Sequence, residues 1–147
     1  MTEKVSPGAV PASAVAGTLP DLLGIEFEEI VRGSVTARLE LRPDHMAPNG
    51  FLHAGTVVAL ADSACGFGSA ASLPDGAVGF TTIELKANFT GTAREGQIRC
   101  VATMAHEGRT TQVWDAVVTG ASGKTLAMFR CTQLVLYPRE RGRARLA

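Results

Sequence analysis

The chain has no surplus of charge, few cysteines and no long apolar run, and each shortage removes a class of function. Fourteen Lys and Arg balance fourteen Asp and Glu. A dedicated nucleic-acid binder needs a basic surplus to displace counterions, so no nucleic-acid partner is expected. The three cysteines, Cys65, Cys100 and Cys131, are odd in number and widely spaced. They form no CxxC pair and no secreted disulfide framework, which suits a reducing cytoplasm. Glu3 and Lys4 precede a stretch of Pro, Gly and Ala, without the apolar core of a signal peptide. The longest candidate for a membrane span, Ala54 to Ala71, carries Asp62 in its middle, so no membrane partner is expected either. There is no GxGxxG and no GxxxxGK[ST], and Ser63 is not in a GxSxG elbow. His45, His53 and His106 have no metal-ligand spacing. The expectation is a cytoplasmic protein without metal or cofactor.

What is present is a core. A chain of 147 residues, 46% hydrophobic and 19% charged, is globular and long enough for one domain. At this length about 70% of the unfolded surface can be buried, so no disulfide or metal is needed for stability. Residues 1–17 read as a flexible lead-in, 18–138 as the single domain, and 139–147 as a basic tail. Thr18 to Gly24 reads as a short helical turn, capped by Thr18 and stopped by Gly24.

A strand pair follows. Ile25, Phe27, Glu29 and Val31 alternate with Glu26, Glu28 and Ile30, Arg32-Gly33 turns, and Val35, Ala37, Leu39 and Leu41 alternate with polar residues. Pro43 and Pro48 bracket a loop through Asn49-Gly50. In Ala54 to Ala71, thirteen of eighteen residues are Ala, Gly, Ser, Thr or Cys, and no face is polar. That composition predicts a helix surrounded by protein, with small residues that let other backbones come close. After Pro74-Asp75-Gly76 the period is two. Ile83, Leu85, Ala87 and Phe89 face one way and Thr82, Glu84, Lys86 and Asn88 the other. Turn signals at 95–96, 107–108 and 120–123 predict an antiparallel meander whose runs 97–106, 109–119 and 124–137 are apolar on both faces and so covered on both sides. Trp114 reads as core. The simplest packing is an α+β chain in which a curled antiparallel sheet wraps one buried helix. One sheet cannot enclose that helix, so a second copy of the chain supplies the remaining cover.

Asp62 is the strongest chemical lead, because a carboxylate on a helix without a polar face is costly unless paired. It reads either as a structural Asp, bonded to a Ser or backbone group or reaching solvent at a crossing point, or as a general base or nucleophile with a shifted pKa. His53 reads as an N-terminal cap or as part of a site. The first turn, Ala54, Gly55 and Thr56, can present N–H groups to a developing oxyanion. Asn49 reads as turn chemistry or as an amide near that helix end. Cys65, on the buried helix, reads as packing. Gly108-Arg109-Thr110 reads as an exposed hairpin or a phosphate contact. Asp62 lies eight residues beyond Ala54, about 12 Å along a helix rising 1.5 Å per residue. A reacting carbonyl must lie about 3 Å from both the attacking group and the oxyanion donor. One helix cannot supply both. Two antiparallel copies packed through their small residues can, which makes the dimer obligatory for this chemistry.

The run Asn49-Gly50-Phe51-Leu52-His53-Ala54-Gly55-Thr56-Val57-Val58-Ala59-Leu60-Ala61-Asp62 resembles the signature of hotdog-fold acyl-CoA thioesterases, in particular the PaaI-like, phenylacetate-degradation type. The similarity spans about residues 20 to 137 and includes Thr82 to Phe89 and the late Gly-Arg-Thr hairpin. The resemblance implies a hotdog fold, homodimers that pair into homotetramers, and hydrolysis of an acyl-CoA thioester, with CoA as part of the substrate. It implies Asp62 as the acid that activates water or attacks directly, and the Ala54 N–H as the group that polarises the carbonyl. His53 would fix the loop or touch the thioester, Thr82 would help place the water, and Arg109 and Thr110 would lie near the CoA phosphates. The chain departs from the family pattern in having Ala54 where Gly often follows the His. It has Ala47 where an Asn or Gln often stands six residues before the His, with Asn49 the nearby amide. The rival readings are a hotdog hydratase or dehydratase acting on an enoyl or hydroxyacyl thioester, and a non-enzymatic acyl-CoA binding module. The acyl group stays open, with Val58, Phe67, Phe80 and Met128 as candidate pocket walls.

Overall fold

A computed structural model describes residues 12–140. Along them run α1 (Ala12–Val15), α2 (Leu19–Leu23), β1 (Glu26–Val31), β2 (Ser34–Glu40), a 3-10 turn (Pro43–His45), α3 (Ala54–Ala71), β3 (Gly79–Phe89), β4 (Gln97–Glu107), β5 (Thr111–Thr119) and β6 (Thr125–Leu136). Most of the expected lead-in and basic tail lies outside the described residues. The described part of the lead-in includes the α1 turn, with Val15 buried. Gly24 stops α2 in a left-handed conformation at φ 81°, which glycine adopts without steric cost. The Thr18 side chain does not cap α2 as expected, because its hydroxyl donates to the Val15 carbonyl instead.

Six antiparallel strands form one sheet in the order β1-β2-β4-β5-β6-β3. Only β4-β5-β6 is a meander. The expected β3–β4 pairing does not occur, because β3 closes the far edge against β6 while β4 sits inside, between β2 and β5. With β1 and β3 at opposite edges, the sheet curls around α3, which touches all six strands. The core is this concave face: Val35, Ala37, Leu39, Ile98, Cys100, Ala102, Trp114, Val118 and Cys131 are buried against Leu60, Ala61, Ala64 and Cys65. The convex face is bare within one chain. Val101, Val117 and Met128 are exposed there, so the expected cover on both sides of these strands does not come from the chain itself. One helix makes only one second layer.

Two of the four register shifts, those in the edge strands, reset the alternation read from the sequence. In β1 the register shifts between Phe27 and Glu29, so Ile30 packs on the core and Val31 is 43% exposed. The simple period had put Val31 inward. In β3 the shift falls between Thr82 and Glu84, leaving Ile83 as the extra residue. Thr82 therefore pairs with Gln133, and Leu85 with Cys131, both buried partners. Cross-strand partners share a face, so Thr82 lies on the helix side with Leu85, Ala87 and Phe89, not opposite them as the period suggested.

The small residues of α3 have specific uses. A Cβ added to Gly68 would stand 2.5 Å from Trp114 Cη2, and one added to Gly66 would meet the Phe80 ring at 3.4 Å. Gly68 thus admits the fully buried indole. The side of α3 away from the sheet, through Ala59, Asp62, Ser63, Gly66 and Ala70, is only partly covered or exposed.

Candidate active site

The start of α3 is built by two histidines. His45 is fully buried. Its Nδ1 accepts the Arg42 N–H at 3.1 Å and its Nε2 lies 2.8 Å from the Leu23 carbonyl, which makes Nε2 the protonated nitrogen. Its carbonyl accepts both the Thr56 hydroxyl at 3.0 Å and the His53 N–H at 3.1 Å. These bonds fasten the loop and the first turn of α3 to the end of α2. His53 is the N-cap, in extended conformation, and its Nδ1 accepts the Gly55 N–H at 2.7 Å. An accepting Nδ1 leaves the ring proton of the neutral imidazole on Nε2. Gly55 is thereby spent on the cap. The Thr56 N–H goes to the His53 carbonyl at 3.0 Å. The Ala54 N–H has no acceptor among the described residues, and Ala54 is exposed.

Asp62 lies on the open side of α3, half-buried in the wall of a groove of about 300 Å³ lined by Pro20, Asp62, Ser63, Gly66, Phe67, Ala70, Phe80 and Thr82. Thr82 Oγ1 is 3.2 Å from Asp62 Oδ1 and 2.8 Å from Gln133 Oε1. Burial pushes the Asp62 carboxyl above the ordinary carboxylate range, and the Thr82 hydroxyl opposes that shift. Among the described residues Asp62 has no ion-pair partner. Of the structural readings, the bond to a Ser or backbone group is replaced by this contact with a strand threonine, while the part-exposed carboxylate on the open groove does reach solvent.

The His53 end and the Asp62 groove are separate within one chain. His53 and Gly55 line a second depression with Leu19, Leu23, Asp44, Met46, Thr56 and Ala59, which has no lining residue in common with the Asp62 groove. Asn49 serves its own turn: its Oδ1 accepts the Phe51 N–H at 3.2 Å. Arg109 lies exposed at the β4–β5 hairpin, with its guanidinium 5.3 Å from the Tyr137 ring centroid and its carbonyl accepting the Tyr137 hydroxyl. The Thr110 carbonyl accepts the Val135 N–H at 2.9 Å. Of the candidate pocket walls, Phe67 and Phe80 line the Asp62 groove, while Met128 is on the convex face and Val58 packs on the core. The Cys65 thiol is raised by its contact with Cys131 and by burial, and burial pushes Cys100 up to about 12. Neither is a thiolate nucleophile near neutral pH. Among the described residues no group of three or more His, Cys, Asp or Glu is arranged to hold a metal, and no helix is long and apolar enough to cross a membrane. Sequence reasoning missed Gln133. Its signal was a Gln in the inward row Cys131, Gln133, Val135 of β6.

Residues 49–127, from the Asn49 turn through the Asp62 helix and into β6, match the family model described as the thioesterase superfamily. The chain belongs to the thioesterase superfamily. This thioesterase is 32% identical over 114 residues to the 1,4-dihydroxy-2-naphthoyl-CoA hydrolase of Listeria monocytogenes, covering 78% of this chain and 92% of that protein. Among solved structures, it superposes on a mutant of thioesterase PA1618 from Pseudomonas aeruginosa with a TM-score of 0.82 and 33% identity, over 90% of this chain and 96% of that one. The PaaI protein of the Escherichia coli phenylacetic acid degradation operon matches with a TM-score of 0.77 at 19% identity, over 85% of this chain and 88% of that one, a likeness of fold alone. The thioesterase has the hotdog fold that the helix signature implied, and it is a thioester hydrolase.

Proposed function

We propose that this thioesterase hydrolyses an acyl- or aryl-CoA thioester at a site shared by two protomers. The observation that carries the reading is Asp62: a half-buried carboxylate, without an ion-pair partner among the described residues, in the wall of an apolar groove. Its mate is the Ala54 N–H, a donor without an acceptor among the described residues, at a helix start that carries partial positive charge. The two are eight residues apart on one helix, about 12 Å, so a single thioester carbon reaches both only if they come from different chains. Two features support that dimer. The open side of α3 carries small residues, which suit antiparallel helix packing, and β3 leaves one whole edge of the sheet unpaired. The exposed Val101, Val117 and Met128 of the convex face support the pairing of dimers into a tetramer.

In this reading the acyl group lies against Phe67 and Phe80, a wall suited to an aryl group like the one in the Listeria relative's name. The Ala54 N–H, with the His53 Nε2–H beside it, stabilises negative charge on the thioester oxygen. Asp62 of the other protomer takes a proton from water as the hydroxide adds to the carbonyl carbon. The C–S bond then breaks and the thiolate leaves protonated. In the covalent variant the carboxylate itself attacks, the thiolate leaves, and water opens the anhydride. Thr82 holds the carboxylate and the water, and Arg109 and Thr110 meet the CoA phosphates at the surface. No metal is needed, because a thiolate is a good leaving group.

The test is hydrolysis of an acyl-CoA panel including phenylacetyl-CoA and benzoyl-CoA, followed by free-thiol release. Asp62→Asn should keep the oligomer and lose about 10²- to 10⁴-fold in turnover. Retained turnover overturns the assignment. Enoyl absorbance changing without thiol release would point to hydratase chemistry instead.

A further inference from the structure

Gln112 and Gln133 are cross-strand partners on the concave face, and both are fully buried. They differ in what holds them. Gln112 Nε2 donates to the Ser72 carbonyl at 2.8 Å and its Oε1 accepts the Trp114 indole N–H at 2.9 Å. A carbonyl can only accept and an indole can only donate, so that carboxamide has one orientation. Gln133 meets the Thr82 hydroxyl at 2.8 Å and the Cys131 sulfur at 3.4 Å. A hydroxyl and a thiol each donate or accept, so either end of the Gln133 carboxamide can face Thr82.

We propose that Gln133 is a positioning residue for Asp62, acting through the single proton of the Thr82 hydroxyl. The inference rests on Asp62 as the active carboxylate. With the Gln133 oxygen toward Thr82, the hydroxyl donates to the carboxamide and only its lone pairs face Asp62, which suits a protonated carboxyl that donates to Thr82. With the carboxamide turned over, Gln133 Nε2 donates to Thr82, the hydroxyl donates to Asp62, and Cys131 can donate to the carboxamide oxygen. That arrangement suits the ionised carboxylate. Bond directions reverse while Gln133 and Thr82 each keep their own protons, and the one proton gained is the proton Asp62 takes from water. The relay therefore gives Asp62 a hydrogen-bond partner both before and after it takes a proton from water. The neighbouring groups do not override it. Cys65 of α3 and Cys131 of β6 are thiols. Asp21 of α2 accepts the Gly17 N–H, and Glu84 and Lys86 of β3 pair with Thr132 and Arg130 on the outer face.

The experiment reads Asp62 directly, by ¹³C NMR titration of the side-chain carboxyls in the intact oligomer. There are five Asp, and the signal lost in Asp62→Asn identifies residue 62. Thr82→Val should raise the Asp62 midpoint by about one pH unit, the loss of one charge-assisted hydrogen bond. Thr82→Ser should leave it in place. In the structure the carboxamide oxygen faces Thr82 and Nε2 faces Cys131, so Gln133→Leu, which removes that acceptor and the need to turn the carboxamide over on ionisation, should lower the midpoint by about half a unit, the size of a neutral hydrogen bond. Gln133→Met serves if the Leu variant does not fold. A Gln133 variant that leaves the midpoint unmoved, or moves it upward like Thr82→Val, overturns the proposal. The acid limb of the kcat/KM profile against phenylacetyl-CoA or benzoyl-CoA should move in the same two opposite directions. If Asp62→Asn stays active, the functional reading fails, while the NMR shifts still decide the relay.

Discussion

His53 Nδ1 accepts the N–H of Gly55, two residues on, at 2.7 Å. This one bond sorts the donors at the start of α3: Gly55 is spent on the cap, the ring proton goes to Nε2, and the Ala54 N–H is left without an acceptor among the described residues. The two donors facing outward, one from backbone and one from imidazole, follow from a cap that uses an aromatic nitrogen where Ser or Asp is usual.

Ala54 offers a clean test of a backbone donor. It is the first residue of α3, the position where proline is tolerated because that N–H has no helical partner. His53, at φ −65° and ψ 130°, already has the extended conformation required before proline. Ala54→Pro should fold normally, by circular dichroism and thermal melting, and lose about 10²- to 10³-fold in kcat. Ala54→Gly should retain the donor and the activity. Full activity in the Pro variant would remove the Ala54 N–H from the mechanism.

Mixing two inactive variants tests the shared site. Asp62→Asn and Ala54→Pro, combined one to one and allowed to exchange subunits, should regain activity. Half of the dimers would be mixed, and each would hold one site with both lesions and one intact site, so about a quarter of wild-type turnover should return. No recovery despite exchange, followed by native mass spectrometry, would place both groups in one protomer.

The raised Asp62 carboxyl makes stability depend on pH. Burial favours its protonated form in the folded chain, so the folded state binds the proton more tightly than the unfolded chain. Stability from this group is present below the ordinary carboxylate pKa and is lost as pH rises through the raised folded value. Asp62→Asn lacks that loss. It should be more stable than wild type in urea melts at pH 7, with the difference shrinking at pH 4 and below. A wild-type chain that is the more stable of the two at pH 7 would contradict this.

Two glycines two residues apart on α3, and so on different faces of it, should respond with opposite sign. Gly68→Ala drives a methyl into the Trp114 ring and should destabilise by about 1–3 kcal/mol of overpacking, partly offset by the roughly 1 kcal/mol gain in helix propensity. Gly66→Ala meets Phe80 at ordinary contact distance, so it should raise the melting temperature while narrowing the groove and shifting kcat/KM toward smaller acyl groups. Equal effects at the two positions would mean that the indole contact does not control Gly68.

Much of this enzyme was legible in its residues. The small-residue run gave the bounds of α3, with Asp62 inside it, because a helix that touches six strands has little room for large side chains on the faces it turns to them. The strands of β2 and β4 to β6 were legible from their period and turns. The bulges were not. Nothing in Thr82-Ile83-Glu84 announces that Ile83 is the extra residue, yet that insertion turns Thr82 toward Asp62. Strand order was equally hidden, because β3 and β4 are joined by a loop that crosses the sheet, and pairing energies depend on partners distant in sequence. Gln133 was read as one more residue of a mixed apolar strand.

The sequence by itself determined the helix, the carboxylate on it and the histidine before it, since each follows from local composition. Tertiary structure alone decided which N–H stays free, which face Thr82 takes, and that Gln133 stands behind it. Those depend on strand register and on who competes for each proton, and both are settled only when distant segments pack together.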